Sequence, residues 1–266
     1  MGESEQVIGL CPLCKRDGQI LRESHFIPAA LYPTKKQMPK ARFSTLDVVY
    51  TEPHDEVKEY LLCGDCEQRF SRNGESDTLL WISSKAKVLK LRDQINGVKP
   101  FEQHHELSRY RASDIGISPE KFAYFAVSVI WRAAIHRWHL RNGVLSTQFD
   151  LGEHAERIRR YLMGEEPFPK DILAVVVIVS SDQEGREVWG IPTQFQEAGC
   201  QNFRFVCRGV TFRVALGRTI DQMVRDGCCV ETGLIFYGDL SHKVRKDFDL
   251  IFNDPVSPER SARGLE

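Results

Sequence analysis

Cys63-Gly64-Asp65-Cys66-Glu67 repeats, far along the chain, the shape of Cys11-Pro12-Leu13-Cys14. In each pair a two-residue spacer lets both thiolates reach one ion, and the Pro or Gly after the first cysteine favours a tight turn. Two such pairs complete a tetrahedron of four sulfurs, the usual closed structural zinc site, which leaves no open position for chemistry. The competing reading is a redox dithiol. Redox pairs sit at a helix start after a parallel strand, a setting that only the second pair could fit. Residues 15–62 are more chain than a simple zinc ribbon needs, so something is built between the knuckles.

That insert contains Glu23-Ser24-His25-Phe26-Ile27-Pro28, with a short strand-like stretch before the histidine and a Pro that ends it. After the second knuckle, Glu67 leads into Gln68-Arg69-Phe70-Ser71-Arg72, a short helix that Asn73-Gly74 closes. Taken together, Cys-x-x-Cys, Ser-His-x-Ile-Pro and Leu-Leu-Cys-x-x-Cys-Glu resemble the HNH endonuclease superfamily with a four-cysteine zinc site. The resemblance covers residues 9 to about 75.

The resemblance implies a fold and a site. The fold is a ββα-metal finger, in which Zn²⁺ on Cys11, Cys14, Cys63 and Cys66 pins a hairpin to a helix. His25 falls where the family has the general base that deprotonates the attacking water. The residue before it is commonly an Asp that binds the catalytic ion; here it is Ser24, a neutral and poor ligand. The residue after the last cysteine is commonly Asn or His; here it is Glu67, a harder oxygen donor suited to Mg²⁺ or Mn²⁺. Glu75 and Glu23 are further carboxylates that could fold back to the same ion. Asn73 either supplies the middle Asn of the motif or is a helix C-cap. Ser24, His25 and Glu67 thus form the expected catalytic set, with Glu67 and Glu75 as the expected divalent-ion ligands. The expected reaction is hydrolysis of DNA phosphodiester bonds, in a setting of prokaryotic antiphage defence. The alternative is a zinc-stabilised module that binds nucleic acid or protein and does not cleave.

Composition neither adds to nor removes this expectation. The 266 residues carry 36 Lys and Arg against 37 Asp and Glu, a formal net charge of −1, and are 42% hydrophobic. These totals exclude collagen-like and disordered chains and offer no overall basic signature for nucleic acid. The local balance differs: Lys15, Arg16, Arg22, Lys35, Lys36, Lys40 and Arg42 face only Asp17 and Glu23 between residues 15 and 42. Lys35, Lys36, Lys40 and Arg42 beyond the histidine strand, with Lys85 and Lys87 after the finger, are the candidate phosphate contacts. No apolar run reaches the roughly 20 residues of a membrane helix, and the acidic start lacks the marks of a secretory signal. Paired cysteines fit a reduced, cytoplasmic protein.

Beyond the finger the pattern is α+β. An apolar-periodic helix is expected over residues 79–95, then a polar linker with His104 and His105, giving a division near residue 97 into units 1–97 and 98–266. Ser118 as N-cap and Pro119 at the first helical position start a helix that wraps apolar residues round its whole cylinder, and Asn142-Gly143 stops it. A second helix spans 152–163. Strands follow at 172–180, 188–191, 202–207, 211–216 and 234–237, with Arg208-Gly209 as a hairpin turn. Cys200, Cys207, Cys228 and Cys229 read as core residues. The second unit is assigned to dimerisation, targeting or control.

Overall fold

The computed structural model describes residues 6–32, 42–44, 49–50, 56–82, 89–103, 107–140, 143–144, 149–181, 188–197 and 199–238. The chain opens with β1 (Ile8–Gly9) and β2 (Gln19–His25), then β3 (Arg42–Ser44), β4 (Val49–Tyr50) and β5 (Lys58–Cys63). Helix α1 (Gly64–Phe70) runs through a π-helical turn (Ser71–Glu75) into α2 (Ser76–Ile82), and α3 (Lys90–Asn96) follows. Next come β6 (Leu107–Arg111), α4 (Ala112–Ile115), α5 (Pro119–Ile135), β7 (His139–Leu140), β8 (Gly143–Val144) and α6 (Ala155–Met163). The chain ends with β9 (Leu173–Ser180), β10 (Val188–Glu197), β11 (Cys200–Cys207), β12 (Val210–Leu216), α7 (Gln222–Asp226), α8 (Cys229–Thr232) and β13 (Leu234–Gly238). The class is α+β.

Two sheets carry the fold. A three-stranded sheet in the order β1-β2-β5 holds both cysteine knuckles. An eight-stranded sheet runs β4-β3-β10-β11-β12-β9-β13-β6. Two of its strands come from the insert between the knuckles: Arg42, Phe43 and Ser44 pair in parallel with Val188, Trp189 and Gly190. One continuous cluster of buried side chains runs from Cys11 through α5 to Ile235, crossing residue 97.

Helix α5 is the hub. Its apolar residues face every direction because it is covered on both sides, as an all-round apolar helix must be. Toward the large sheet, Phe125 meets Phe205 and Phe212 edge-on at 5.9 and 5.2 Å, and those two rings stack at 4.9 Å. Toward the small sheet, Tyr124 and Trp131 meet Phe70 edge-on at 6.1 and 6.0 Å. The N-cap is as expected, with the Lys121 amide donating to Ser118 Oγ at 3.3 Å.

The C-terminal end differs from expectation. The helix stops at Ile135, His136 is extended, and Gly143 opens a strand. The fully buried Trp138 folds back and its indole N–H donates to the Arg132 carbonyl at 3.0 Å. That side chain caps the helix, so no glycine stop is needed.

Other departures are local. The expected helix at 79–95 appears as α2 and α3, with 83–88 outside the described residues. The expected linker holds β6, an edge strand paired with β13. Strand β10 runs on past Pro192, which sits where its register with β11 shifts between Gly190 and Thr193, a place where a sheet tolerates proline. The Arg208-Gly209 turn forms, with φ of 50° and 77° at the two residues. Among the described residues no helix is long and apolar enough to cross a membrane. Cys200, Cys207, Cys228 and Cys229 are all buried.

Gly74 seats the π-turn on α5. A Cβ there would lie 2.7 Å from the Phe125 amide nitrogen and 2.9 Å from the Lys121 carbonyl oxygen. Both neighbours are helix backbone and cannot move aside. Gly74→Ala is expected to destabilise the chain by about 1–3 kcal/mol through overpacking, read as a lower urea midpoint. An unchanged midpoint would mean that α5 yields to the added methyl group at this contact.

Candidate functional site

The small sheet assembles the four-cysteine cluster. Cys11 and Cys14 lie in the turn between β1 and β2. Lys15, at φ 57°, closes that turn with its amide donating to the Cys11 carbonyl at 2.8 Å. Cys63 ends β5 and caps α1, and Cys66 sits in the first turn of that helix. Pairing of β2 with both β1 and β5 brings the two knuckles together, and all four Sγ atoms lie within 4.8 Å of one another.

The surroundings favour a thiolate at Cys11 and push the other two buried thiols up, Cys63 chiefly by burial and Cys66 chiefly through its hydrogen bond to Cys11. The Cys63 amide donates to Cys11 Sγ at 3.4 Å, and Arg16 donates to Cys14 Sγ at 3.4 Å and to Cys63 Sγ at 3.8 Å. A hydrogen bond from the Cys66 thiol, helped by backbone amides, pulls the Cys11 thiol below its ordinary range. Four Zn–S bonds of about 2.3 Å imply S···S edges of about 3.8 Å; Cys14 and Cys63 stand at 3.9 Å. The donor set fits, and the cluster is a candidate zinc-binding site. Helix α6 braces it from outside: Arg159 donates to the Leu13 carbonyl at 2.7 Å, and Lys15 pairs with Glu156 at 2.7 Å.

His25 ends β2, opposite Lys58 on β5. The register of this pair shifts between Arg22 and Glu23, and the next residue, Ser24, turns inward and is fully buried. Bulges commonly re-aim a side chain in this way beside functional sites. Ser24 Oγ accepts from the Leu62 amide at 3.1 Å and donates to the Glu67 carboxylate on α1. It serves as a link between hairpin and helix. Burial pushes the Glu67 carboxyl up from its ordinary range, against the pull of the Arg132 charge and of the Ser24 hydroxyl. The Glu75 charge adds to the rise and His25 opposes it.

Glu75 ends the π-turn. Its side chain is 12% exposed and its carboxylate accepts from Arg132 at 2.6 Å. His25, with its side chain 25% exposed, has Nε2 at 3.0 Å from a Glu56 carboxylate oxygen. The structure thus brings together His25, Ser24, Glu67 and Glu75, and adds Glu56 and Arg132. Lys58 is drawn away to Glu23 at 2.7 Å, so Glu23 is an ion-pair partner on the hairpin surface. Lys35, Lys36, Lys40, Lys85 and Lys87 lie outside the described residues. Arg42 is placed only as backbone in β3.

Neither added residue was singled out in the sequence. Glu56 precedes β5 with no motif around it. Arg132 did leave a signal: one guanidinium among the apolar residues of α5, where a charge needs a partner to be buried. Among the described residues the four cysteines are the only cluster tight enough to hold a metal ion. Glu67, Glu75 and His25 offer the oxygen and nitrogen donors that a hard cation takes, less closely gathered than the four sulfurs. No family model, curated protein or solved structure matches the chain.

Proposed function

We propose that the chain is a metal-dependent endonuclease of the HNH type that hydrolyses DNA. The observation that carries the reading is the order hairpin–knuckle–helix, with His25 at the end of β2 and Glu67 in the first turn of α1. The four cysteines hold a structural Zn²⁺ in this reading, and Glu67 with Glu75 holds Mg²⁺ or Mn²⁺. An ion held there would supply charge stabilisation at the phosphoryl group and at the leaving 3′-oxygen.

The residues divide the remaining work. With Nε2–H donating to Glu56, the lone pair of the His25 ring falls on Nδ1, which takes the proton of the attacking water. The Glu56 carboxylate holds the ring and stabilises the imidazolium that forms. Ser24 fixes the rotamer of Glu67. Residues 98–266 brace the finger through α5 and α6, and dimerisation, targeting or control is proposed for them.

One observation favours a second reading, a zinc-stabilised binding module without cleavage. Each prospective ion ligand already has a protein partner: Glu67 has Ser24 and Glu75 has Arg132. Plasmid DNA incubated with the purified chain and Mg²⁺ or Mn²⁺ separates the two. Cleavage is expected with either metal and none with chelator. Glu67→Gln is expected to reduce it by more than the 10- to 100-fold that loss of a group supporting a metal ligand costs. No cleavage with any divalent metal or DNA form leaves the binding module.

A further inference from the structure

We infer that Arg132, contributed by α5 from outside the finger, is the positioning residue of the site, holding the main chain at His25 and the carboxylate of Glu75 with one guanidinium. One NH₂ group donates to the His25 carbonyl at 3.0 Å and the other to Glu75 at 2.6 Å. The hairpin, the π-turn and α5 thereby keep one relative geometry. The inference rests on the nuclease reading in taking His25 as the base.

Stability alone does not account for this arginine. Its side chain is 1% exposed, and its Nε–H is buried with no hydrogen-bond partner among the described residues. A buried ion pair with an unmet donor is commonly no more stable than well-packed apolar side chains of similar volume. The guanidinium carbon lies 5.3 Å from the centre of the Phe70 ring, and the guanidinium charge also reaches the Glu67 carboxylate. What an apolar residue cannot provide is two directed hydrogen bonds from one rigid plane. Lysine cannot provide them either, because its ammonium is a point charge on a flexible stem.

The placement of Glu75 points the same way. Helix α1 passes into α2 through a π-helical turn, and such turns frequently lie at functional sites. The wider turn ends on Glu75, and Gly74 beside it lets the turn sit against the α5 backbone. An uninterrupted α-helix would rotate residue 75 to another face. The backbone distortion and the buried arginine thus act on the same carboxylate.

Arg132→Lys in the full chain tests this. The variant is expected to keep its metal content and melt within a few degrees of the parent. Its kcat should fall about 100-fold, the scale of a misplacement near 1 Å, with KM nearly unchanged. The ¹⁵N signals of the His25 ring should shift. Parent-like kcat, or unmoved His25 signals, overturns the inference. So does a loss of activity matched by an equal loss of folded, metal-bound protein, which is what a purely structural arginine gives.

Arg132→Met combined with Glu75→Leu checks stability separately. It should melt at or above the parent temperature, and a large drop assigns Arg132 to structure and overturns the inference. If the unaltered chain cleaves no DNA, the nuclease reading fails, and the His25 signals of Arg132→Lys still decide whether Arg132 positions that residue.

Discussion

His25→Ala is expected to lower plasmid cleavage by about 10²–10⁴-fold, the range that a positioned general base contributes. The variant is a clean one. The His25 side chain reaches Glu56, itself about half exposed, and the bond to Arg132 comes from the main-chain carbonyl, which alanine keeps. Stability should therefore change by no more than about 1 kcal/mol. The expected record is a parent-like melting curve, unchanged metal content and a lost cleavage rate. Equal cleavage by His25→Ala and parent would remove His25 from catalysis, whatever the remaining residues do.

Removing the metal proposed for the four-cysteine cluster is expected to have the largest effect on the fold. Structural zinc sites are worth an apparent 10–16 kcal/mol in finger peptides, against about 5–15 kcal/mol for the net stability of a whole domain. Cys11→Ala removes a fully buried ligand, and its loss should abolish tight binding of about one zinc per chain. The damage should spread beyond the knuckles. Cys63 caps α1, α1 carries Phe70, and Phe70 packs on Tyr124 and Trp131 of α5. Protease digestion after chelation should therefore open the segment from β2 through α2. A chelated chain with parent-like melting and digestion would show that the cluster holds no structural metal.

The cysteine knuckles, the helix around Glu67 up to its expected stop, the N-terminal start of α5 and most strands of the large sheet were legible because each rests on local chemistry. The stop read at Asn73-Gly74 is instead a π-turn that carries α1 into α2. Thiolate spacing, a Ser-Pro cap and an Arg-Gly turn are written within a few residues. The early end of α5 was hidden because Trp138, not a glycine, caps it. Strand β10 was cut short by Pro192 because the bulge that tolerates a proline is a property of the pair with β11. The same limit applied to the site. His25, Ser24 and Glu67 sit inside a motif, and Glu75 lies a few residues beyond it. Arg132 comes from a helix more than fifty residues further on, and only packing reveals what it touches.

The parallel pairing of β3 with β10 has a consequence for how the chain is made. Residues 42–44 leave the ribosome long before residues 188–190 exist to receive them. The span that must close is nearly 150 residues, and such distant pairings are entropically late. The knuckles can meet as soon as residue 66 emerges, so the loop between them is pinned at its base while its middle waits for a partner. A nascent chain stalled short of residue 188 would have its four cysteines together and leave the β3–β4 hairpin backbone without its neighbour. An incomplete copy would have its knuckles joined while the eight-stranded sheet still lacked the strand that seats β3, so closure of that sheet waits on residues 188–190.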